Sequence, residues 1–321
     1  MRSRHYVLLG LLAGVVGVAA LTVVYPPLDD LYLENPFWNG LSEVYRELKP
    51  GRVRDAGEFY MLDAGNSTVL MVGPSSGFSG EDVAAVRDYL ERGGRVVLCD
   101  DFGSGNQLLE GLGLGTRFTG WLLLDPVFFD REPGLPRLLN FSVFGVKARE
   151  VVLNYATTLA VGDRLSVVES SSPFSYVDGE GVVGMGPHPV MGRVAVGRGL
   201  LVVFSDSSVF INGMIDRGGN RDLLKMVVRG EACVDEVHSV PTLLTSLAWV
   251  LRDVYAVLRL QEVGFGVAAL GVLLIFGYRP LFRDEEPRLD EFEEVLKAHP
   301  GWDRRQLEWL WEQRRNSVGD R

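Results

Sequence analysis

The chain has 321 residues, 47% of them hydrophobic and 23% charged, with a formal net charge of -10 and a mean hydropathy of +0.12. That balance is too apolar for an ordinary soluble protein and too charged for a polytopic transporter; it excludes disorder as the main state, and the acidity excludes a nucleic-acid-binding surface. Two cysteines, Cys99 and Cys233, exclude a disulfide-dense scaffold and a four-cysteine zinc site, leaving room for a single disulfide.

The first element is an uncharged apolar run over residues 6–24. It is long enough to cross a bilayer core of ~30 Å at ~1.5 Å per residue. Arg2 and Arg4 precede it, while Asp29, Asp30 and Glu34 follow. This bias predicts a transmembrane helix over 6–24, a cytoplasmic stretch over 1–5 and an exported domain from residue 25. A cleaved signal peptide ending near Val18-Ala19-Ala20 is the alternative, and it exports the same domain.

The exported segment, 25–255, reads as α/β. Residues 68–73 are a short β-branched strand running into Gly73-Pro74-Ser75-Ser76-Gly77. Ser79 then offers a helix N-cap with Asp82 three residues on, and Val83, Val86, Tyr89 and Leu90 follow at helical spacing. Gly93-Gly94 ends that helix before a strand over 95–99, a loop over 100–106 and a helix over 107–112. Further strands are predicted at 151–153, 165–169 and 199–205, and a helix at 220–228. The stretch 116–147, rich in aromatics and proline, has no periodicity to assign. Strands alternating with helices predict a doubly wound parallel sheet.

A second apolar run over 263–277 predicts another transmembrane helix within 256–278, with a buried helix as the alternative. Arg279, Arg283 and Arg288 follow it, which places the C-terminal flank inside and gives an N-in, C-in topology. In the cytoplasmic tail, 279–321, Leu289, Phe292, Val295 and Leu296 share one helical face. Pro300-Gly301 breaks the pattern before a second helix carrying Leu307, Trp309, Leu310 and Trp311. With Trp302, these side chains predict amphipathic helices that dock on the membrane interface or on a cytoplasmic protein. A self-packed helical hairpin is the alternative.

Several motifs, taken in order over residues 35–240, resemble the archaeal membrane-anchored members of domain-of-unknown-function family 4350. They are Asn35-Pro36-Phe37-Trp38-Asn39-Gly40-Leu41-Ser42, the loop from Asp100-Asp101 to Asn106, Leu153-Asn154-Tyr155-Ala156-Thr157, the run from Ser205-Asp206-Ser207-Ser208 to Asn212, and Asp235-Glu236-Val237-His238. The resemblance implies a flavodoxin-like sheet of the class I glutamine-amidotransferase type and no established activity. It also implies a membrane assembly with a MoxR-type AAA ATPase, near which relatives are often encoded.

Amidotransferase-type folds place a nucleophilic cysteine after such a Gly-Gly strand, where Cys99 stands, with His188 or His238 as the base. Asp100 and Asp101 follow at once and raise a thiol's pKa, so the competing reading is a small buried strand residue. The carboxylates offer more. Asp100, Asp101 and Asp206 follow predicted strands, where α/β sheets hold ligands, and Asp235, Glu236 and His238 follow another apolar run. They are candidates for a ligand or a hard divalent cation, or for helix caps together with Ser207 and Ser208. Asn35, Asn39, Asn106, Asn154 and Asn212 divide between ligand binding and turns or caps, and Trp38 between stacking and packing. The glycines at 103 and 105 match no phosphate-binding fingerprint, and no cofactor is required. Asn66 and Asn140 begin glycosylation triplets. These features predict a membrane-anchored, non-enzymatic binding or scaffold protein that links its exported domain to a cytoplasmic partner. The alternatives are an exported hydrolase, metal-assisted, using Asp206, Asp235, Glu236 and His238, and an enzyme built on Cys99.

Overall fold

The structure, a computed structural model, describes residues 10–11, 14, 16–20, 26–139, 141–143, 146–147, 150–179, 182–261, 263, 265–266, 269–270 and 289–319. The chain divides into two units, Met1–Asp253 and Val254–Arg321.

The first unit is built on a seven-stranded sheet. Its parallel part comprises β1 (Gly51–Val53), β2 (Ser67–Val72), β3 (Arg95–Cys99), β15 (Gly199–Phe204) and β16 (Glu231–Asp235), in the order β1-β16-β2-β3-β15. Two antiparallel strands, β14 (Pro189–Val196) and β11 (Ser166–Ser170), extend it beyond β15. The sheet is therefore parallel-rich and mixed, not the wholly parallel sheet expected.

Both faces are covered, which explains why the central strands read as continuous apolar runs. Val69, Met71, Val96, Leu98, Leu201 and Val203 point to one face, against α2 (Gly80–Glu91) and α3 (Gly105–Gly111). Leu70, Val97, Cys99, Val202 and Phe204 alternate onto the other, which is covered by α1 (Ser42–Leu48) and α4 (Asn220–Val227). The capping box predicted at Ser79 is present: Asp82 N–H donates to Ser79 Oγ at 3.2 Å and Ser79 N–H to Asp82 Oδ2 at 2.7 Å. The unassigned stretch 116–147 holds strands of two or three residues, among them β4 (Arg117–Phe118) and β5 (Leu122–Leu124), in small antiparallel ribbons.

Among the described residues no helix is long and apolar enough to cross a membrane. This corrects the two flanking transmembrane helices and the cell-membrane placement that rested on them. Helix α5 (Leu243–Leu258) has 16 residues and carries Arg252 and Asp253. At ~1.5 Å per residue it is shorter than a ~30 Å hydrocarbon core and bears two charges there. Much of 6–24 and 256–278, and residues 279–288, lie outside the described residues, as does Asn140. Asn66 is exposed.

The second unit contains α6 (Leu289–Ala298) and α7 (Arg304–Gly319). Phe292 is buried, its ring meeting Trp311 edge-on at 5.6 Å. Arg304 bridges the two helices, pairing with Glu293 at 3.2 Å and Glu308 at 3.1 Å. The tail packs on itself through this pair, while Trp302 and Trp309 stay 53% and 61% exposed.

Candidate functional site at the carboxyl edge of the sheet

Parallel strands end with their carbonyl groups at one edge, and the chain leaves them there in loops that can hold a ligand. Asp100 and Asp101 follow β3, Asp206 and Ser207 follow β15, and Asp235, Glu236 and His238 stand at the end of β16. The predicted carboxylates are thus gathered at this edge.

Their partners decide what they can do. Asp100 is buried and accepts N–H bonds from Asp101 and Gly103 on Oδ1, at 2.8 and 2.9 Å, and from Gly105 on Oδ2 at 2.7 Å. It closes the turn into α3. Burial pushes its carboxyl from 3.8 up to about 6, opposed by those three bonds. Asp206 is fully buried and receives Asn154 N–H at 2.7 Å, Ser208 N–H at 2.8 Å and Ser208 Oγ at 3.0 Å. Burial, aided by the Asp101 charge, raises it from 3.8 to about 7. Asp101 accepts a bond from Ser207 Oγ at 2.8 Å, linking the loops after β3 and β15.

The group after β16 is built differently. Glu236 lies between two arginines, bonded to Arg52 Nη1 at 2.7 Å and Arg54 Nε at 2.9 Å. Asp235 Oδ2 holds His238 Nδ1 at 2.8 Å. The imidazole stacks on Phe78 at 3.7 Å, and its Nε2 stands 3.6 Å from Asp82 Oδ2 with no hydrogen-bond partner. The backbone carbonyl of His238 accepts Ser75 N–H at 2.8 Å and Ser76 N–H at 3.1 Å, clamping the loop after β2. Among the described residues no three His, Cys, Asp or Glu side chains are grouped to hold a metal ion.

Cys99 is 0% exposed, and burial together with Asp206, Asp100 and Asp101 pushes its thiol well above the ordinary range. His188 is engaged elsewhere, its Nε2 at 3.0 Å from Gly184 O. No hydrogen bond or ion pair between described residues joins Cys99 to either histidine. Both cysteines are free and buried, so the single disulfide does not form.

The asparagines serve the backbone. Asn106 grips β4, its Nδ2 donating to Phe118 O at 2.9 Å and its Oδ1 accepting Phe118 N–H at 2.8 Å. Asn212 accepts Glu43 N–H at 2.9 Å and donates to Asn35 O at 3.0 Å. Asn35 in turn donates to Asp29 O at 2.9 Å and to Asn39 Oδ1 at 3.1 Å. Asn154 Nδ2 donates to Ser208 Oγ at 2.9 Å. Trp38 lies on the surface, 71% exposed.

Between the loops after β2 and β16 lies a cleft of about 380 Å³ that composition gave no reason to expect. Asp29, Asp30, Leu31, Tyr32, Ser75 and Val240 are among its walls. Gly73 lies at its base with φ of 57°, and a Cβ there would come within 2.3 Å of Leu31 Cδ1, so glycine both supplies the turn and admits Leu31. The sequence signal that could have found it is the pair Asp29-Asp30 beside a tyrosine, read only as a flank of the apolar run.

A family model described as a domain of unknown function (DUF4350) matches residues 34–228. Among the curated proteins none matches the chain. Of solved structures, the mmIFT52 N-terminal domain aligns with a TM-score of 0.42 and 16% identity over 54% of this chain and 78% of that one. The exo-beta-1,4-mannosidase Op5Man5 from Opitutaceae bacterium strain TAV5 aligns with a TM-score of 0.28 and 12% identity, over 44% of this chain and 20% of the mannosidase. The beta-galactosidase from Bacillus circulans sp. alkalophilus gives 0.29 and 13%, over 50% of this chain and 23% of that chain. The chain therefore spans about a fifth of each glycosidase's length.

Proposed function

Because the chain belongs to the DUF4350 family of domains of unknown function, we propose its role from the site alone: a non-enzymatic binding or scaffold protein. Its α/β unit takes a ligand at the carboxyl edge of the sheet, and its helical unit engages a protein partner. The observation that carries this reading is the state of the chemical groups at the edge. Each carboxylate there is held by backbone N–H groups, a hydroxyl, an arginine or His238, and the Cys99 thiol is buried and hard to ionise. A nucleophile needs an adjacent base and exposure, and Cys99 has neither. The helical unit supports the second half, because Trp302 and Trp309 remain exposed after Phe292 and Trp311 have packed together. Exposed aromatics are the usual anchors of protein interfaces. The family resemblance points to a MoxR-type AAA ATPase as that partner.

The hydrolase reading has one observation in its favour, the unpartnered Nε2 of His238. Screening the full chain against amide, ester, glycoside and phosphoester substrates tests both readings. The binding role predicts no turnover above background and no effect of Cys99→Ala. A turnover abolished by Cys99→Ala, or by His238→Gln in a folded variant, would establish an enzyme instead.

A further inference from the structure

Helix α7 has two unlike sides. One is spent inside the helical unit. There Leu307 is half-buried and Trp311 meets Phe292, Arg304 pairs with Glu293 and Glu308, and the Arg314 guanidinium lies 5.8 Å from the centre of the Trp311 ring. At ~3.6 residues per turn Trp309 falls on the opposite side, where it is 61% exposed beside Leu310 at 56%. Arg305 stands four residues before Trp309 and Glu312 three after it, on one flank of the same stripe, while Gln306 and Gln313 stand on the other. All four are exposed, and among the described residues neither Arg305 nor Glu312 has an ion-pair partner.

The order of these groups fits the helix to itself. When two copies of a helix lie antiparallel about a two-fold axis, each flank meets the same flank of the other copy. With the axis beside Trp309, Arg305 of each copy comes opposite Glu312 of the other, and the glutamines meet on the far flank. A parallel pair would instead set Arg305 against Arg305 and Glu312 against Glu312. An apolar centre with matched charges at its rim is the anatomy of a small protein interface. A foreign helix of one charge sign would match one of these two residues and oppose the other, and a lipid surface would cover Trp309 without using their alternation.

We propose that the helical unit docks on a second copy of this chain, α7 against α7 and antiparallel. Trp309 and Leu310 form the centre of the contact, and Arg305 meets Glu312 of the other copy at both of its ends. The pairing rests on the binding role above and names a second copy as the occupant of the Trp309 face. It leaves Trp302, which precedes the helix and stacks on His299 at 4.2 Å, for the foreign protein.

One helix of 16 residues from each copy makes a contact at the small end of specific interfaces. Sedimentation equilibrium of the full chain from about 1 μM to about 1 mM therefore tests it. The parent is expected to dimerise within that range, and Trp309→Ala weakens the dimer tenfold or more. Arg305→Glu and Glu312→Arg each turn two attractions into two repulsions and weaken it about tenfold. Carrying both reversals in one chain restores the parent's affinity, and mixing the two single variants gives a heterodimer tighter than either forms alone. All three positions are exposed, so these variants leave the packing of α6 on α7 intact. A dimer indifferent to Trp309→Ala and to both reversals overturns the assignment. A chain that stays monomeric to the highest concentration overturns it as well, whether or not it binds phosphatidylcholine vesicles. If that monomer still brings down a stoichiometric foreign protein, the binding role stands without the pairing. A charge-sensitive dimer that brings down nothing else supports the pairing and overturns the foreign partner instead.

Discussion

Asp206 and Asp100 are the residues whose environment most changes their chemistry. Their carboxyls titrate at about 7 and about 6 instead of 3.8, in both cases mainly because burial disfavours the charged form. The folded state therefore holds more protons than the unfolded chain between about pH 4 and 7, and stability falls as pH rises through that window. The predicted profile of melting temperature against pH declines from about pH 4 to 7 and flattens above. Asp206→Asn, whatever its absolute stability, declines less over the same range. Parallel profiles for the two proteins would show that Asp206 is ionised throughout. Asn220 is the other pivotal residue. It is buried, accepts Val152 N–H and donates to Val152 O at 2.9 Å, and also reaches Met214 O at 3.0 Å. Asn220→Ala strands these groups and is expected to cost about 3 kcal/mol in urea unfolding. Neither role was legible in the sequence. Asn220 reads as the first residue of a helix, and Asp206 as one of several interchangeable loop acids. What separates them is burial and partners more than 50 residues away, and local spacing carries no information on either.

At the scale of elements, legibility follows length. Strands β2, β3 and β15 and helices α2 and α4 show their periodicity or unbroken apolar runs over five residues or more, and they lie where the pattern placed them. The Ser79-x-x-Asp82 pair marked the start of α2 because a capping box is a local device. Ser79→Ala removes one side of it and is predicted to lower stability by about 1 kcal/mol in chemical denaturation, whereas Ser79→Thr keeps most of it. The same pair does a second job invisible locally, since Asp82 also faces His238 Nε2. Ribbon strands such as β4 and β5, of two and three residues, show no period, because a two-residue alternation needs more length than that to register. They are fixed by partners such as Asn106 and by the antiparallel pairing of β5 with the strand Tyr176–Gly179. The antiparallel extension by β14 and β11 was hidden for a related reason: an apolar strand does not declare the direction of its neighbour.

Across the whole molecule, the gathering of Asp100, Asp101 and Asp206 at one sheet edge was legible, because they follow runs that read as strands, whereas Asp235 followed an apolar run that was not assigned as one and ends β16. Their meaning was not legible. A carboxylate that closes a turn and one that holds a ligand look alike in sequence, and only their hydrogen bonds tell them apart. The apolar runs near the two ends were read as spans on hydropathy alone, and among the described residues no helix is long and apolar enough to cross a membrane. In the helical unit, the self-packed reading of the tail holds for one aromatic pair. Phe292 and Trp311 pack together while Trp302 and Trp309 are left outward.

That division makes the central claim, a binding role with a protein partner, directly measurable. The full chain is tagged and purified under native conditions from its own cells, beside a variant carrying Trp302→Ala and Trp309→Ala and beside Cys99→Ala. Both tryptophans are exposed, so the first variant should fold. A stoichiometric protein partner retained by the parent and by Cys99→Ala, and lost from the tryptophan variant, is the predicted result. A chain that purifies alone, or a partner held equally by all three proteins, would contradict it.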